Sequence, residues 1–256
     1  MPTAYRISKT GILEAFDGRY LDETIFGVSG STSIVSTNLK LNLDASSSSS
    51  YSGTGTTWTD LSGNGYNFTL QNATAYVGTG VKYMDFNGTY GAATIASGTD
   101  IPITGNVTAI VWTRIKNSTA DWRTLFRAQT TGGLHNVIIE SGSNRLGMYN
   151  GGFYDSGFTV NNLPGYGTTT WAMMTWRFNA STSPYYNFSY NDTPSTLRGS
   201  NTSASSGFIQ GVYALGFYQG GSQYWGDIAQ VLLYNRVLTD TEVLQNFTAT
   251  RSRFGL

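Results

Sequence analysis

Short segments in which apolar and polar residues alternate recur from Asn38 onward, and they constrain the fold more than any other feature. The stretch Leu39–Leu43 has leucine at every second position, and the serine run 46–50 then forms a loop. This period is typical of half-buried strands, and Gly, Asn, Asp or Ser separates nearly all the segments. Many short strands without interleaved helices predict an all-β fold, an antiparallel two-sheet jelly-roll sandwich. Further strands are predicted at 82–86, 106–115, 124–128, 134–140, 145–149, 171–178, 185–190, 212–218 and 226–234.

The composition agrees with this class. Charged residues make up 12% of the 256 residues, about half of the ~25% typical of soluble domains. Aromatic residues reach 14%, which a disordered polar tract would not contain. The chain has only four lysines and four glutamates, so a helix-dominated fold is nearly excluded.

One helix is predicted near the C-terminal end of the sequence, from about Asp240 to Thr250. Thr239 and Glu242 have capping-box spacing, in which a hydroxyl and a carboxylate satisfy the first free amides. Val243, Leu244 and Phe247 are expected to form an apolar stripe that packs on the sandwich.

Residues 1–36 differ from the rest of the chain. Residues 10–23 carry four of the 15 acids, and a Gly/Ser/Thr-rich stretch follows at 27–37. We interpret residues 1–36 as an N-terminal arm or docking segment and residues 37–256 as the globular domain. An extra strand and loop on the same domain is the alternative.

The charge balance and the terminal sequence restrict the partners. Basic and acidic residues number 15 each, with no basic stripe for nucleic acid. There is no apolar run of 18 residues for a membrane span, and the first residues lack the apolar core of a signal peptide. Without cysteine the fold does not depend on an oxidising compartment. The composition is typical of an extracellular adhesive surface, whereas the preceding observations indicate a chain that is made and folded in a cytoplasm. A protein of the virion surface, made in the host cytoplasm, fits both. A mature secreted fragment is the alternative.

Five segments of the chain carry a family resemblance: Trp58–Asn67, Tyr83–Gly88, Asn106–Arg114, Trp171–Arg177 and Tyr224–Val243. In this order they resemble the laminin-G-like domains of the concanavalin-A-like lectin/glucanase jelly-roll superfamily. The resemblance covers roughly residues 39–254, and the chain's last residues are similar to the tails of such domains in phage and large-virus virion proteins.

The resemblance, together with the cytoplasmic synthesis argued above, implies a domain displayed on a virus particle, and the missing carboxylate motif described below predicts that it is not an enzyme. We expect a virion structural protein, either a capsid decoration or a tail or fibre component, that contacts other virion proteins through residues 1–36. It is expected to be a homo-oligomer, and its outward loops would bind host-surface glycans or simply decorate the particle. The alternatives are a polysaccharide depolymerase on the same fold and a secreted, non-viral adhesin module.

The carboxylate motif of the family's glucanases is missing from the sequence, so a glycanase would require a nonstandard pair among the 11 aspartates. Glycoside hydrolysis needs two carboxylates that are close enough to act on the same glycosidic bond. The β-glucanase members of the superfamily carry them in the motif E-x-D-x-x-E. None of the four glutamates has an aspartate two residues later. Glu140 stands alone and Glu242 is explained as a helix cap. His135, the only histidine, lacks the context of a catalytic triad, and we expect it to pack at the end of a strand.

Glycan binding needs only aromatic faces for sugar C–H groups and polar groups for hydroxyls. Two tyrosine-rich segments, 148–156 and 218–225, supply both, and we expect them to be loops. Packing of these rings on the rims of the sandwich or on a neighbouring subunit is the alternative. The candidate glycan-binding residues are Trp122, Tyr149, Asn150, Tyr154, Asp155, Gln223 and Tyr224.

No cofactor is required by the sequence, but calcium is possible because oxygen ligands suffice for it. Asp60, Asn64 and Asp227 are the candidate ligands. For the first two we favour an ordinary Asx-rich turn over 60–65. Many relatives have an acid where this chain has Ala229, which argues against a calcium site near Asp227.

Overall fold

A computed structural model describes residues 5–7, 13–15, 33–71, 74–87, 91–103, 105–116, 121–128, 134–164, 166–167, 170–191, 199–201, 211–216 and 224–256. In these ranges two eight-stranded antiparallel sheets pack against each other, and one α-helix lies outside them. The predicted antiparallel sandwich is therefore confirmed. Among the described residues, no helix is long and apolar enough to cross a membrane.

The strands are short, as the spacing of turn residues predicts, and the helix follows the last of them. Their bounds are β1 Tyr5–Ile7, β2 Leu13–Ala15, β3 Leu39–Asp44, β4 Thr57–Trp58, β5 Phe68–Gln71, β6 Ala75–Val77, β7 Tyr83–Asn87, β8 Ala92–Ile95, β9 Val107–Ile115, β10 Arg123–Arg127, β11 His135–Ile139, β12 Arg145–Tyr149, β13 Phe153–Thr159, β14 Ala172–Phe178, β15 Tyr186–Tyr190, β16 Gly199–Asn201, β17 Ala214–Leu215, β18 Trp225–Tyr234 and α1 Asp240–Thr250.

The strands β3 to β18 pair into two sheets. Sheet one has the order β13-β12-β11-β10-β17-β8-β5-β4. Sheet two has the order β16-β15-β14-β9-β18-β7-β6, with β3 as its eighth strand beside β18. The long β18 pairs with β9 on one side; on its other side it pairs first with β7 and then with β3. At several points the chain therefore passes from one sheet to the other between consecutive strands, which is typical of a jelly-roll sandwich.

The main core lies between the sheets. Trp58 and Phe68 from sheet one and Trp176 and Phe188 from sheet two are each 0% exposed. Phe126 of sheet one meets Trp176 edge to face, with ring centroids 5.9 Å apart. Burying rings of this size supplies much of the apolar area that stabilises the fold.

Helix α1 covers the outer side of sheet two. Its capping box is present as predicted: Thr239 accepts from the Glu242 amide, and the Glu242 carboxylate accepts from the Thr239 amide. Val243 and Phe247 are buried against the sheet, but Leu244 is 43% exposed. The predicted stripe was wrong at Leu244 because adjacent helical residues lie about 100° apart around the axis.

The N-terminal strands stand apart from both sheets. β1 pairs with β2 in a separate two-stranded sheet, with Arg6 opposite Glu14. Residues 33–36, which the sequence assigned to the arm, pack instead on the domain. The Val35 amide donates to Asn246 Oδ1 at 2.8 Å, and Tyr234 Oη donates to the Val35 carbonyl.

Several strands differ from the expected pattern. β8 is buried on both faces and β13 is interrupted by Gly157 at φ +78°, so neither alternates cleanly. The strand expected at 212–218 is shorter: Val212 forms an isolated bridge to Ile101, and residues 217–218 lie outside the described residues. The strands that alternation did not predict are β1, β2, β4, β5, β6, β8, β13 and β16.

Candidate functional site

Three aromatic side chains meet on the outer side of sheet one and form what we call the aromatic face: Trp122, Tyr149 and Phe153. The Trp122 ring centroid lies 5.8 Å from that of Tyr149 and 5.4 Å from that of Phe153, and both contacts are edge to face. All three side chains are only half-buried. An edge-to-face contact places the edge of one ring against a face of the other, so each ring keeps at least one face that this contact does not cover.

The hairpin β12–β13 positions two of these rings. Leu146 and Met148 point into the core, so Tyr149 belongs to the alternate, outward set of β12. Tyr149 pairs directly with Phe153 across the hairpin. The turn between them is closed by a hydrogen bond from the Asn150 amide to the Gly152 carbonyl, with Gly151 at φ +68°.

Gly147 makes room for Phe153 on this face. A Cβ atom at Gly147 would lie 2.6 Å from the Phe153 ring and 2.3 Å from the Tyr154 carbonyl oxygen. The Phe153 ring therefore lies across the backbone of β12 at a place where only glycine fits.

An ion pair lies on the same side of the hairpin. Arg145 Nη1 donates to Asp155 Oδ2 at 2.6 Å, and the two side chains are 46% and 35% exposed. The other oxygen, Asp155 Oδ1, accepts from the Gly157 amide at 2.7 Å. The carboxylate is thus fixed from both oxygens, and the guanidinium keeps further N–H donors for other groups.

His135 supports the aromatic face from the neighbouring strand. Its ring meets Tyr149 edge to face at 6.0 Å, and its Nδ1 shares a hydrogen bond with Thr124 Oγ1 at 2.9 Å. Burial, reinforced by the nearby charge of Arg127, lowers the pKa of His135 to about 4. The imidazole is therefore neutral at pH 7 and acts as a packed polar group, as the sequence predicted.

The structure brings some predicted glycan-binding residues together and separates others. Trp122, Tyr149 and Asp155 lie on the outer side of sheet one, with Asn150 exposed in the adjoining turn. Tyr154 packs against the core from the other side of β13. Gln223 lies outside the described residues.

The prediction that Tyr224 binds glycan was wrong. Tyr224 is 0% exposed, and its hydroxyl hydrogen-bonds to the hydroxyl of Thr113 inside the core. Burial raises its pKa above the ordinary value for tyrosine. Its ring is closed off from any sugar, because the residue lies directly before the buried strand β18 and packs with Phe86.

Sequence reasoning missed Arg145 and Phe153 as site residues. The segment 148–156 was interpreted as a loop, but most of it belongs to β12 and β13. The available signal was the spacing: Tyr149 and Phe153 flank a three-residue Asn-Gly-Gly turn, which is typical of a hairpin and puts both rings on one side.

The calcium candidates have other partners. Both oxygens of Asp60 accept two hydrogen bonds each, which closes an Asx-rich turn. Asn64 donates from Nδ2 to the carbonyls of Leu39 and Lys40 in the same turn. In the described ranges, no three Asp, Glu, His or Cys side chains group as a metal site requires.

Asp227 belongs to an ion network on sheet two. It binds Arg114 at 2.6 Å and Lys116 at 2.9 Å, and Lys116 also binds Asp85 at 2.6 Å. Burial raises the pKa of Asp227, while the two cations oppose the shift. Asp85 and Asp227 are directly opposite each other in neighbouring strands, so they are the nearest approach to a paired carboxylate site in this network.

The two prominent glutamates have local partners. Glu140 accepts from the hydroxyl of Ser143 at 2.5 Å. Glu242 accepts from both terminal nitrogens of Arg236, which together with the helix cap lowers its pKa to about 2. Neither faces a second carboxylate in these contacts.

A polar cleft of about 270 Å³ lies between β3 and the end of α1. Arg253 spans it, donating from Nη1 to both oxygens of Asp44 and from Nη2 to Gln230 Oε1. These hydrogen bonds anchor the residues after α1 on sheet two.

The family comparison agrees with the fold. A family model described as the concanavalin A-like lectin/glucanases superfamily matches residues 87–244, more than half of the chain. A search of curated protein sequences finds no significant match.

Similar solved structures share the fold at low identity. Domain 4 of AbnA, a GH43 extracellular arabinanase from Geobacillus stearothermophilus in complex with arabinotriose, has a TM-score of 0.60 and 16% identity, over 82% of this chain and 98% of that chain. The binding domain of Paraclostridial Mosquitocidal Protein 1 has a TM-score of 0.58 and 16% identity, over 83% and 52%. Trypanosoma rangeli sialidase in complex with sialic acid has a TM-score of 0.57 and 11% identity, over 86% and 34%. The match thus spans about half of the toxin chain and about a third of the sialidase.

Proposed function

Because the chain belongs to the concanavalin A-like lectin/glucanases superfamily, we propose that it is a carbohydrate-binding domain without catalytic activity of its own. The observation that carries the proposal is the aromatic face. Trp122, Tyr149 and Phe153 are large apolar rings left half-buried on a rigid sheet, beside an exposed ion pair.

The chemistry of this face suits a sugar ring. Aromatic faces carry partial negative charge, which attracts the C–H groups on the apolar side of a pyranose or furanose. Hydrogen-bonding groups at the edge then fix the orientation of the hydroxyls. Arg145, Asp155 and the exposed Asn150 are the polar groups along this hairpin.

The solved structures support a binding role by analogy. The AbnA domain was solved in complex with arabinotriose, and the toxin fragment is named a binding domain. Both resemble most of this chain in fold. At 16% identity they say nothing of which sugar this chain takes.

The arrangement of carboxylates supports the non-enzymatic part of the proposal. Glycosidases of the usual kind hold two carboxyl groups on either side of the scissile bond. Asp155 at the aromatic face is paired with Arg145, and the Asp85–Asp227 pair on sheet two is neutralised by Lys116 and Arg114. A depolymerase would release reducing ends from surface polysaccharides, and we expect none.

The test is binding to a panel of oligosaccharides, followed by titration calorimetry with the best ligand. Trp122→Ala should weaken binding about tenfold or more, which corresponds to about 1.4 kcal/mol, while Trp122→Phe should retain part of the affinity. Leu244→Ala, an apolar truncation on the exposed side of α1, is the matched control and should bind like the wild type. Equal binding by Trp122→Ala and the control would refute the proposal.

We further propose that the domain is displayed at the surface of a virus particle as a homo-oligomer, docked to other virion proteins through the arm within residues 1–36. Support comes from β1 and β2, which pair with each other and lie outside both sheets. An isolated two-stranded hairpin is marginally stable, so it gains from a partner surface. Repeated copies would also multiply a weak sugar affinity.

Deleting residues 1–32 tests the docking role. The truncated chain should keep the melting temperature of the domain but be absent from purified particles, as measured by mass spectrometry. Incorporation of the truncated chain at the wild-type level would contradict docking through the arm and leave the sugar-binding proposal unaffected.

A further inference from the structure

We propose that the aromatic face selects neutral sugars with adjacent hydroxyl groups and discriminates against acidic sugars, and that the Arg145–Asp155 pair sets this specificity. The inference rests on the proposed function, since it names the class of sugar that the same site takes. It is carried by the placement, exposure and charge of this pair.

The pair lies on the same side of the hairpin as the rings. Arg145, Gly147 and Tyr149 are alternate residues of β12, and the intervening Leu146 and Met148 point into the core. On β13, Asp155 pairs with Gly147, two residues from the Phe153–Tyr149 pair. The ion pair therefore continues the row that begins with the rings, and the Phe153 ring lies across Gly147 between them.

The pair is held in place but accessible. Asp155 is fixed by Arg145 Nη1 at 2.6 Å and by the Gly157 amide at 2.7 Å, and a carboxylate can accept several hydrogen bonds at once. Arg145 is 46% exposed, and its guanidinium has more N–H donors than this one ion pair uses. A side chain with this exposure contributes little to stability through its ion pair, so a role at the surface explains its position better.

A fixed carboxylate beside a guanidinium matches a pair of neighbouring hydroxyls. One sugar hydroxyl donates to Asp155 while the next accepts from an N–H of Arg145, and both bonds involve a charged partner, which makes them stronger than neutral ones. With the sugar ring over Trp122, Tyr149 or Phe153, these bonds fix its rotation on the aromatic face.

The local charge argues against acidic sugars. The sequence segment 117–170, which supplies the aromatic face, carries no net positive charge, because it contains three arginines and three acids: Arg123, Arg127, Arg145, Asp121, Glu140 and Asp155. The carboxylate of a uronic or sialic acid that approached Arg145 would lie close to the like charge of Asp155. Glu140 adds to this repulsion, because it lies opposite Arg145 at the turn from β11 to β12, where its amide donates to the Arg145 carbonyl.

The test measures wild type, Asp155→Asn, Arg145→Gln and Trp122→Ala against a neutral and an acidic oligosaccharide of equal length, at low and high salt. Asp155→Asn keeps an acceptor for the Gly157 amide, removes the charge and replaces the oxygen that accepts from Arg145 with an NH2 group. It should bind the neutral sugar about tenfold more weakly and gain salt-sensitive binding of the acidic sugar, because Arg145 is then unopposed. Arg145→Gln should lose neutral binding without that gain.

The outcomes separate the two proposals. If binding depends on Trp122 but the wild type prefers the acidic sugar, or if Asp155→Asn leaves the preference unchanged, the specificity inference is refuted while sugar binding at the aromatic face stands. If Trp122→Ala binds like the wild type, the proposed function fails and the inference with it. Should Asp155→Asn prove unfolded by circular dichroism, the wild-type preference and Arg145→Gln still decide between these results.

Discussion

The two outer sides of the sandwich both carry aromatic residues, which are buried on sheet two and partly exposed on sheet one. On sheet two, Trp112 is 1% exposed and is stacked on Phe254 at 3.9 Å, with planes 12° apart. Its indole N–H donates to Thr250 Oγ1 at 2.8 Å. On sheet one, Trp122 is half-buried and touches Tyr149 and Phe153 only edge to face.

The difference lies in the elements that cover each sheet. The helix α1 and the short 3₁₀ helix Arg251–Phe254 cover sheet two, so its rings form a second core with Phe247 and Phe254. No described helix covers the aromatic face of sheet one. Stacked rings whose N–H group is hydrogen-bonded stabilise the fold. Rings that are partly exposed and meet only edge to face keep part of their surface accessible to a ligand. Burial of ring faces, and not the presence of aromatics, therefore separates a structural cluster from a candidate site.

The largest effect is expected from truncating the covered tryptophan. Trp112→Ala should lower the free energy of unfolding by about 3–5 kcal/mol, because it leaves a cavity and removes the hydrogen bond to the Thr250 hydroxyl. Trp122→Ala should cost at most about 1.5 kcal/mol, since its side chain is already partly exposed to water. Urea unfolding of both variants measures the difference, and equal losses would show that Trp122 is structural too.

A smaller effect is expected at the glycine beneath Phe153. Gly147→Ala should destabilise the protein by about 1–3 kcal/mol and weaken sugar binding, because the new methyl group collides with the Phe153 ring and the Tyr154 carbonyl. Gly152→Ala in the adjoining turn is the matched control, since a Cβ there meets nothing within 4 Å. If both variants melt and bind alike, Gly147 does not shape the aromatic face.

The histidine behind Tyr149 should make sheet one sensitive to acid. The unfolded chain takes up a proton near pH 6.5, but folded His135 does so only near pH 4, so the unfolded state binds more protons between these values. The stabilisation is complete above pH 6.5 and is lost as the pH falls toward 4, by up to about 1.4 kcal/mol per pH unit from this group. Unfolding free energies at pH 7, 6 and 5 should fall less steeply for His135→Gln. Parallel curves would mean that His135 titrates alike in both states.

The smallest effect is expected from chelation. The oxygens of Asp60 already accept four hydrogen bonds, and Asp227 already forms ion pairs with the side chains of Arg114 and Lys116. Adding EDTA should therefore leave both the melting temperature and sugar binding unchanged. A clear drop in either quantity, restored by Ca²⁺, would assign one of these carboxylates to a metal.

The fold could be predicted from the sequence further than the site could. Alternation and turn residues located β12 and most long strands, and the capping box located α1, because these are local signals. Burial of Tyr224 depends on packing between distant strands, which local pattern does not encode. Phe153 was missed for a related reason: polar residues in 148–156 favoured a loop, whereas pairing of β12 with β13 made it the outer side of a sheet.

The outer side of sheet one, and not that of sheet two, is the surface that we expect to bind sugar. Titrating a neutral oligosaccharide into ¹⁵N-labelled protein and recording amide and indole chemical shifts tests this expectation directly. We predict that the shifts concentrate on the Trp122 indole, the Tyr149–Phe153 turn and the Gly157 amide, while Trp112 and α1 stay unchanged. Shifts centred on α1 or β3, or none with any sugar that the protein is shown to bind, would contradict it.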